Sequence, residues 1–253
     1  MSSPIALVRK PGPAFTGAIS GHPQKHRIDS QRALDQHGHY VRGLEQAGAR
    51  VTILETLNEF PDSPFIEDTV VIFNREALIC SMKAKSRRGE VASVAREVSA
   101  HRSITHLKPP ATLDGGDVLI TDQTVYVGQS TRTNKDAIAA LKKCCEKPCI
   151  PVSVHRGLHL KSSVSFLGGN LLVIDPTSVE TSSFEKFEWI EVDASERYAA
   201  NCLALGQFVL LPAGFPKVAD NIRAHGFHII ELPMSEFEKA DGGVTCLSLI
   251  IKE

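Results

Sequence analysis

Excess charge is missing from this chain. Its 28 Lys and Arg against 29 Asp and Glu leave a formal charge of -1. No basic face argues for nucleic acid, and no acidic block argues for a solvating tail. Long apolar runs are missing too. The only early apolar stretch, Ile5 to Val8, is too short for a signal-peptide core, and none approaches the roughly 18 residues of a membrane helix. No G-x-G-x-x-G follows a first strand, which sets aside a dinucleotide-binding fold. These absences predict a soluble, cytoplasmic protein without nucleic-acid or membrane partners.

Paired zinc spacing is also absent. The six cysteines stand at 80, 144, 145, 149, 202 and 246, and they form no small-domain disulfide framework. Cys144, Cys145 and Cys149 cluster at the end of an expected helix, where they read as buried or idle thiols rather than ligands. The histidine pairs His37-x-His39 and His155-x3-His159 have no further ligands at metal spacing. No metal or cofactor is expected.

What the chain does have is bulk and a repeat. Its 253 residues are 42% apolar, enough for a sizeable core, and a single domain over 1–253 is expected. One unit recurs five times: an amphipathic helix, a short apolar strand, a loop, then a second apolar strand opening on a polar residue. The helix-following strands read 50–55, 103–107, 149–154, 188–192 and 227–232. The polar-opened strands begin at Asp68, Asp117, Asn170, Asn201 and Cys246. The units lie roughly 40 to 50 residues apart, the spacing of arrays and propellers. Helices are expected over 28–47, with Leu34, Tyr40, Val41 and Leu44 on one face and Gly48 as cap, over 88–100, and over 216–225, from Pro216 to Gly226. A short helix is placed at 184–189. Hairpins such as Asp117-Val127 accompany the helices, unlike a plain doubly wound sheet. Five mixed units fit an α/β fold with radial, five-bladed propeller symmetry, whose polar openings could converge near the axis.

Several residues could carry chemistry. Asp62, Glu67 and Asp68 lie in PDSPFIEDT, and Asp114 and Asp117 in TLDGGDV. Glu67 and Asp68 are adjacent, so on extended chain they would point to opposite sides, one reaching a site while the other holds the frame. Carboxylates match the planar donor fork of a guanidinium. Each residue also has an ordinary reading: a turn for Asp114-Gly-Gly, a cap for Glu67, a hydrogen-bonded structural imidazole for His159. Cys246, in GGVTCLSLII, has two glycines giving an open approach and an apolar strand behind it. A buried inert thiol is its plain alternative, and residue types alone make only a partial case for nucleophilic catalysis.

Six segments taken together resemble a known family. FPDSPFIEDT, SRR at 86–88, ATLDGGDV at 111–118, TRTN at 131–134, GLHLKS at 157–162 and DGGVTCLS at 241–248 are similar to motifs of the dimethylarginine dimethylaminohydrolases, in that family's order from about residue 8 to the last strand. The resemblance implies a five-bladed α/β-propeller of ββαβ-type repeats. It implies Cys246 as nucleophile, His159 as general acid/base and Asp114 as the acid supporting it. Asp68 and Glu67 match residues at the guanidinium end, Asp62 a position nearer the amino-acid end, and Arg87 and Arg132 a pair gripping the α-carboxylate. Backbone groups near Pro11, where relatives carry Leu, and Ala240 match substrate contacts. The implied activity converts free methylated arginine to citrulline and a methylamine through a covalent thiouronium, without cofactor, in a possible homodimer. Arginine deiminase, an amidinotransferase and a catalytically silent guanidine-binding protein are the alternatives.

Overall fold

A computed structural model describes residues 3–252. Fifteen strands form five three-stranded sheets of one design. In each, an inner strand runs antiparallel to a middle strand, which runs parallel to an outer strand. Blade 1 is β15 (Ser248–Ile251), β1 (Ile5–Arg9) and β2 (Arg50–Leu54). Blade 2 is β3 (Val70–Ile72), β4 (Glu76–Ile79) and β5 (Ser103–His106). Blade 3 is β6 (Val118–Ile120), β7 (Val125–Gln129) and β8 (Cys149–Ser153). Blade 4 is β9 (Val164–Gly168), β10 (Leu171–Ile174) and β11 (Glu188–Glu191). Blade 5 is β12 (Leu203–Leu205), β13 (Phe208–Pro212) and β14 (His228–Leu232). Pairing of β15 with β1 joins the last strand to the first and closes the ring. No helix among the described residues is long and apolar enough to cross a membrane.

A parallel pair needs a crossover, and that is where the helices sit. α1 (Ser30–Gln46), α2 (Val91–Val98), α3 (Lys135–Cys144) and α4 (Pro216–Ala224) each link a middle strand to its outer strand; a short α5 (Ser235–Glu238) leads toward the last inner strand. Asp29 caps α1 by accepting from the N–H groups of Gln31 and Arg32, and Gly48, at φ +89°, ends it as expected. Two helix expectations fail. Leu34 is 37% exposed, and the buried stripe of α1 is Ala33, Gln36, His37, Tyr40, Gly43 and Leu44. The place of the helix at 184–189 is taken by a single 3-10 turn, Ser182–Phe184, and β11.

Each middle strand is buried on both faces, which is why it reads as a continuous apolar run. Alternate residues enter two different cores. In β1, Ala6 and Val8 pack toward blade 5 while Ile5 and Leu7 pack toward blade 2. In β10, Leu171 and Val173 face blade 5, and Leu172 and Ile174 face blade 3. The same division holds for Leu78 against Ala77 and Ile79, and for Tyr126 against Val125 and Val127. Five apolar clusters result, one per blade interface. The inner strands surround an axial cavity of about 210 Å³, lined by Val70, Val118, Val164, Leu203 and Leu249 among others.

The polar openings lie at the top of this ring and latch neighbouring blades. Asp68 Oδ1 accepts from the N–H of Gly116. Asp117 Oδ1 accepts from Leu160, and Asn201 Oδ1 from Thr245. Ser165 Oγ accepts from Cys202. Thr245 Oγ1 donates to Glu67 and completes the circuit. Asn170 does not belong to it. It is exposed at the β9–β10 hairpin, and the inner strand of blade 4 is β9, preceded by the turn after His159. Asn170 opens a middle strand, one place out of register with the other four.

Candidate active site

The 3-10 turns that precede the inner strands carry the reactive side chains to the top of the axis. Asp68 sits in Ile66–Thr69 and Cys246 in Thr245–Leu247, while His159 immediately precedes Leu160–Ser162. A small cleft there is lined by Ile19, Asp62, Phe65, Asp68, Arg87, Arg132, Leu158, His159, Ala240, Asp241, Gly242 and Cys246. It gathers Asp62, Asp68, Arg87, Arg132, His159, Ala240 and Cys246, seven of the ten residues expected at a site.

His159 is buried between two carboxylates. Its Nε2 lies 3.2 Å from Asp114 Oδ2, and its Nδ1 lies 3.7 Å from Asp68 Oδ1. Burial pulls the imidazole pKa down, but Asp68, the Asp114 hydrogen bond and the charges of Asp117 and Asp114 outweigh it and raise the value to about 9. His159 is therefore an acid at neutral pH. Burial alone would push the Asp68 carboxyl up; the His159 and Arg87 cations instead hold it at about 2. Gly116 has no side chain because a Cβ would stand 2.7 Å from His159 Nδ1 and 2.8 Å from Asp68 Oδ1.

Cys246 accepts a 3.3 Å hydrogen bond at Sγ from the N–H of Gly243. Burial raises its thiol well above the usual range, and the Glu67 and Asp68 carboxylates raise it further. The unliganded cleft thus holds a neutral thiol, and a cation arriving beside it would favour the thiolate. The glycines before it serve close approach, not flexibility. A Cβ on Gly242 would strike the Phe65 ring at 2.1 Å, and one on Gly243 would strike Asn201 at 2.4 Å.

Three expected residues stand off the cleft. Asp114 is fully buried behind His159, the place of a supporting acid. Glu67 faces the axial cavity, bonded to Lys161 at 2.6 Å and to Thr245 at 2.8 Å. It holds the frame next to Cys246 while its neighbour Asp68 reaches the site. Pro11 is buried and does not line the cleft. The residue that does is Ile19, 42% exposed at the rim, whose N–H donates to Asp62 Oδ1.

The two arginines also differ. Arg87 is 3% exposed and donates to Asp68, both oxygens of Glu90, and the carbonyls of Asp62 and Phe65. Its donors are almost fully committed to Asp68, Glu90 and these two carbonyls. Arg132 makes one long contact, 3.5 Å to Asp114, and retains donors for a ligand. Sequence reasoning missed Ile19, Phe65, Leu158 and Asp241 as lining residues. Asp241 is in the left-handed region, at φ 57°, and accepts from the Gly21 N–H at 2.6 Å, which ties the segment at 19–21 across the cleft.

Asp68, Asp114 and His159 offer ligand atoms within 4.8 Å of one another, a spacing a cation could use. Arg87 and Arg132 already bring positive charge to the same two carboxylates. Arg87 is bonded to Asp68 Oδ2, and His159 and Arg132 share Asp114 Oδ2, so much of the donor set that a metal ion would need is already engaged. The arrangement fits a nucleophilic thiol, a nearby general acid and a carboxylate seat for a planar cation.

Comparison with known proteins agrees. The family profile "N,N dimethylarginine dimethylhydrolase, eukaryotic" matches residues 16–251. The N(G),N(G)-dimethylarginine dimethylaminohydrolase of Pseudomonas aeruginosa is 35% identical over 238 residues, covering 92% of this chain and 93% of its own. A solved structure of that bacterium's enzyme, a cysteine-to-serine mutant complexed with citrulline, superposes with a TM-score of 0.94 at 30% identity, over 99% of this chain and all of the other. The N-terminal domain of ArgZ, a cyanobacterial arginine dihydrolase, shares the fold at 18% identity, with a TM-score of 0.91 over 100% of this chain and 98% of its own. The chain belongs to the dimethylarginine dimethylaminohydrolase family.

Proposed function

We propose that the protein hydrolyses free Nω-methylated arginine to citrulline and a methylamine, with Cys246 as nucleophile and His159 as general acid and base. The observation that carries this reading is the meeting of the Cys246 thiol, the His159 imidazole and the Asp68 carboxylate in one cleft with Arg132. Asp68 would accept the N–H groups of the substrate guanidinium and hold its central carbon near Sγ. The incoming cation favours the thiolate, and the thiol proton leaves to solvent. Attack forms the S–C bond and moves the C=N electron pair onto nitrogen. The C–N bond to the methylated amine then breaks, and His159 gives that amine its proton. The same imidazole, now a base, takes a proton from water as it adds to the thiouronium carbon. Cleavage of the C–S bond releases citrulline and restores the thiol. Arg132 would bind the α-carboxylate, and Arg87 would keep Asp68 ionised rather than grip substrate.

Support comes from the family and from the citrulline complex of its Pseudomonas member. Incubation with arginine, monomethylarginine and asymmetric dimethylarginine, reading citrulline and the released amine, tests the reading. It requires citrulline and a methylamine from a methylated substrate. Citrulline with ammonia from arginine alone would make the protein a deiminase.

A further inference from the structure

Asp117 neither lines the cleft nor touches Cys246, yet it is fully buried with three hydrogen bonds converging on it. Its Oδ2 accepts from Ser130 Oγ at 2.5 Å and Thr133 Oγ1 at 2.6 Å. Its Oδ1 accepts from the N–H of Leu160 at 3.0 Å. Ser130 and Thr133 flank Arg132, and Ser130 Oγ also accepts the Arg132 N–H at 3.0 Å. Leu160 directly follows His159. A glycine makes room for the carboxylate: a Cβ on Gly128 would stand 2.5 Å from Asp117 Oδ1 and 2.9 Å from Leu160 Cβ.

We propose that Asp117 is a positioning residue that sets two functional side chains at once, holding the backbone of His159 through Leu160 and that of Arg132 through Ser130 and Thr133. The inference rests on the hydrolase reading and deepens it. The general acid sits on blade 4, and the carboxylate-binding arginine on the loop between β7 and α3 of blade 3. The spacing between these groups must match the distance from the guanidinium to the α-carboxylate of one amino acid. A single buried carboxylate bonded to both segments fixes that spacing. Its charge also lies near His159 and helps to keep that imidazole protonated.

The test is Asp117→Asn, which keeps shape and can still accept from Leu160 but removes the charge and one acceptor for the two hydroxyls. Activity against asymmetric dimethylarginine should fall roughly ten- to a hundredfold in kcat/KM, the cost of slightly misplaced groups. The loss should be smaller on a methylated alkylguanidine lacking the α-carboxylate, because Arg132 has nothing to bind there. The alkaline limb of the pH profile should move to lower pH. Titration of the His159 imidazole nitrogens by NMR should show its pKa lowered in the variant, a readout that needs no turnover. A folded variant with wild-type kcat/KM and an unmoved His159 titration overturns the proposal. If Asp117→Asn does not fold, Ser130→Ala decides, since it cuts only the Arg132 arm. A raised KM with kcat within about twofold supports the coupling, and an unchanged KM refutes it. Wild-type protein inactive on every methylated arginine would sink the hydrolase reading, while the NMR comparison would still judge Asp117.

Discussion

Cys246 lies under two carboxylates, Glu67 and Asp68, whose charges oppose thiolate formation. Neutral alkylating agents should therefore modify it slowly at neutral pH, with a rate still rising above pH 9. A cationic reagent of similar intrinsic reactivity should be faster, because it brings the missing positive charge. Peptide mapping of the labelled protein measures both, and equal rates for the two reagents would contradict this electrostatic picture. Arg132→Ala should raise KM by the loss of a charge-assisted hydrogen bond, about 1.5 to 3 kcal/mol, with a smaller effect on kcat. Cys246, His159 and Asp68 were picked out by residue type, which made only a partial case, and Arg132 entered through the family resemblance; the structure brings the four into one cleft. Ile19, Phe65 and Leu158 were not legible: they serve the cleft through backbone groups and apolar surface, which look the same anywhere in a chain. The resemblance implied Arg87 as part of a substrate clamp, and sequence does not reveal that Asp68 and Glu90 occupy its donors.

Among the elements, the helices expected over 28–47, 88–100 and 216–225 were read from periodicity and caps, and the five outer strands lie where the pattern placed them. The pattern failed at blade 4. There Val164–Gly168 and Leu171–Ile174 are two apolar runs separated by a tight turn. Asn170 heads the second run as Asn201 heads a strand in blade 5, and only the pairing of β9 with β10 reveals which strand is inner. The consequence is measurable. Asn170→Ala should change unfolding free energy by less than about 0.5 kcal/mol, as expected of an exposed position. Asn201→Ala leaves the buried Thr245 N–H without its acceptor and should cost about 1 to 3 kcal/mol. It should also lower activity by loosening the turn that carries Cys246. Urea unfolding of the two variants checks the contrast, and equal losses would mean that Asn201 is no latch.

The whole molecule is a ring closed by β15 on β1, so α1 packs across the seam between the first and last blades. His37 on that helix is buried, with Nε2 unpaired. Burial, and then the charge of Lys10, depress its pKa from 6.5 to about 4. The unfolded chain binds a proton at a higher pH than the folded one. The stability that depends on neutral His37 is therefore complete above pH 6.5 and is lost as pH falls toward 4, by about 3 kcal/mol. Urea unfolding across that window should show a steeper acid loss in wild type than in His37→Gln, and parallel curves would remove His37 from the acid response. Closure of the ring also brings Cys246, near the end of the chain, beside Asp68 and His159 from two other blades.

That meeting is the central claim, and rapid acid quench during turnover of asymmetric dimethylarginine tests it most directly. Mass spectrometry of the digested protein should find a thiouronium adduct on the Cys246 peptide, appearing with citrulline and dimethylamine and absent from Cys246→Ser, which should form no product. Citrulline formed by the Cys246→Ser protein at the wild-type rate, with no adduct on the wild-type peptide, would contradict the account.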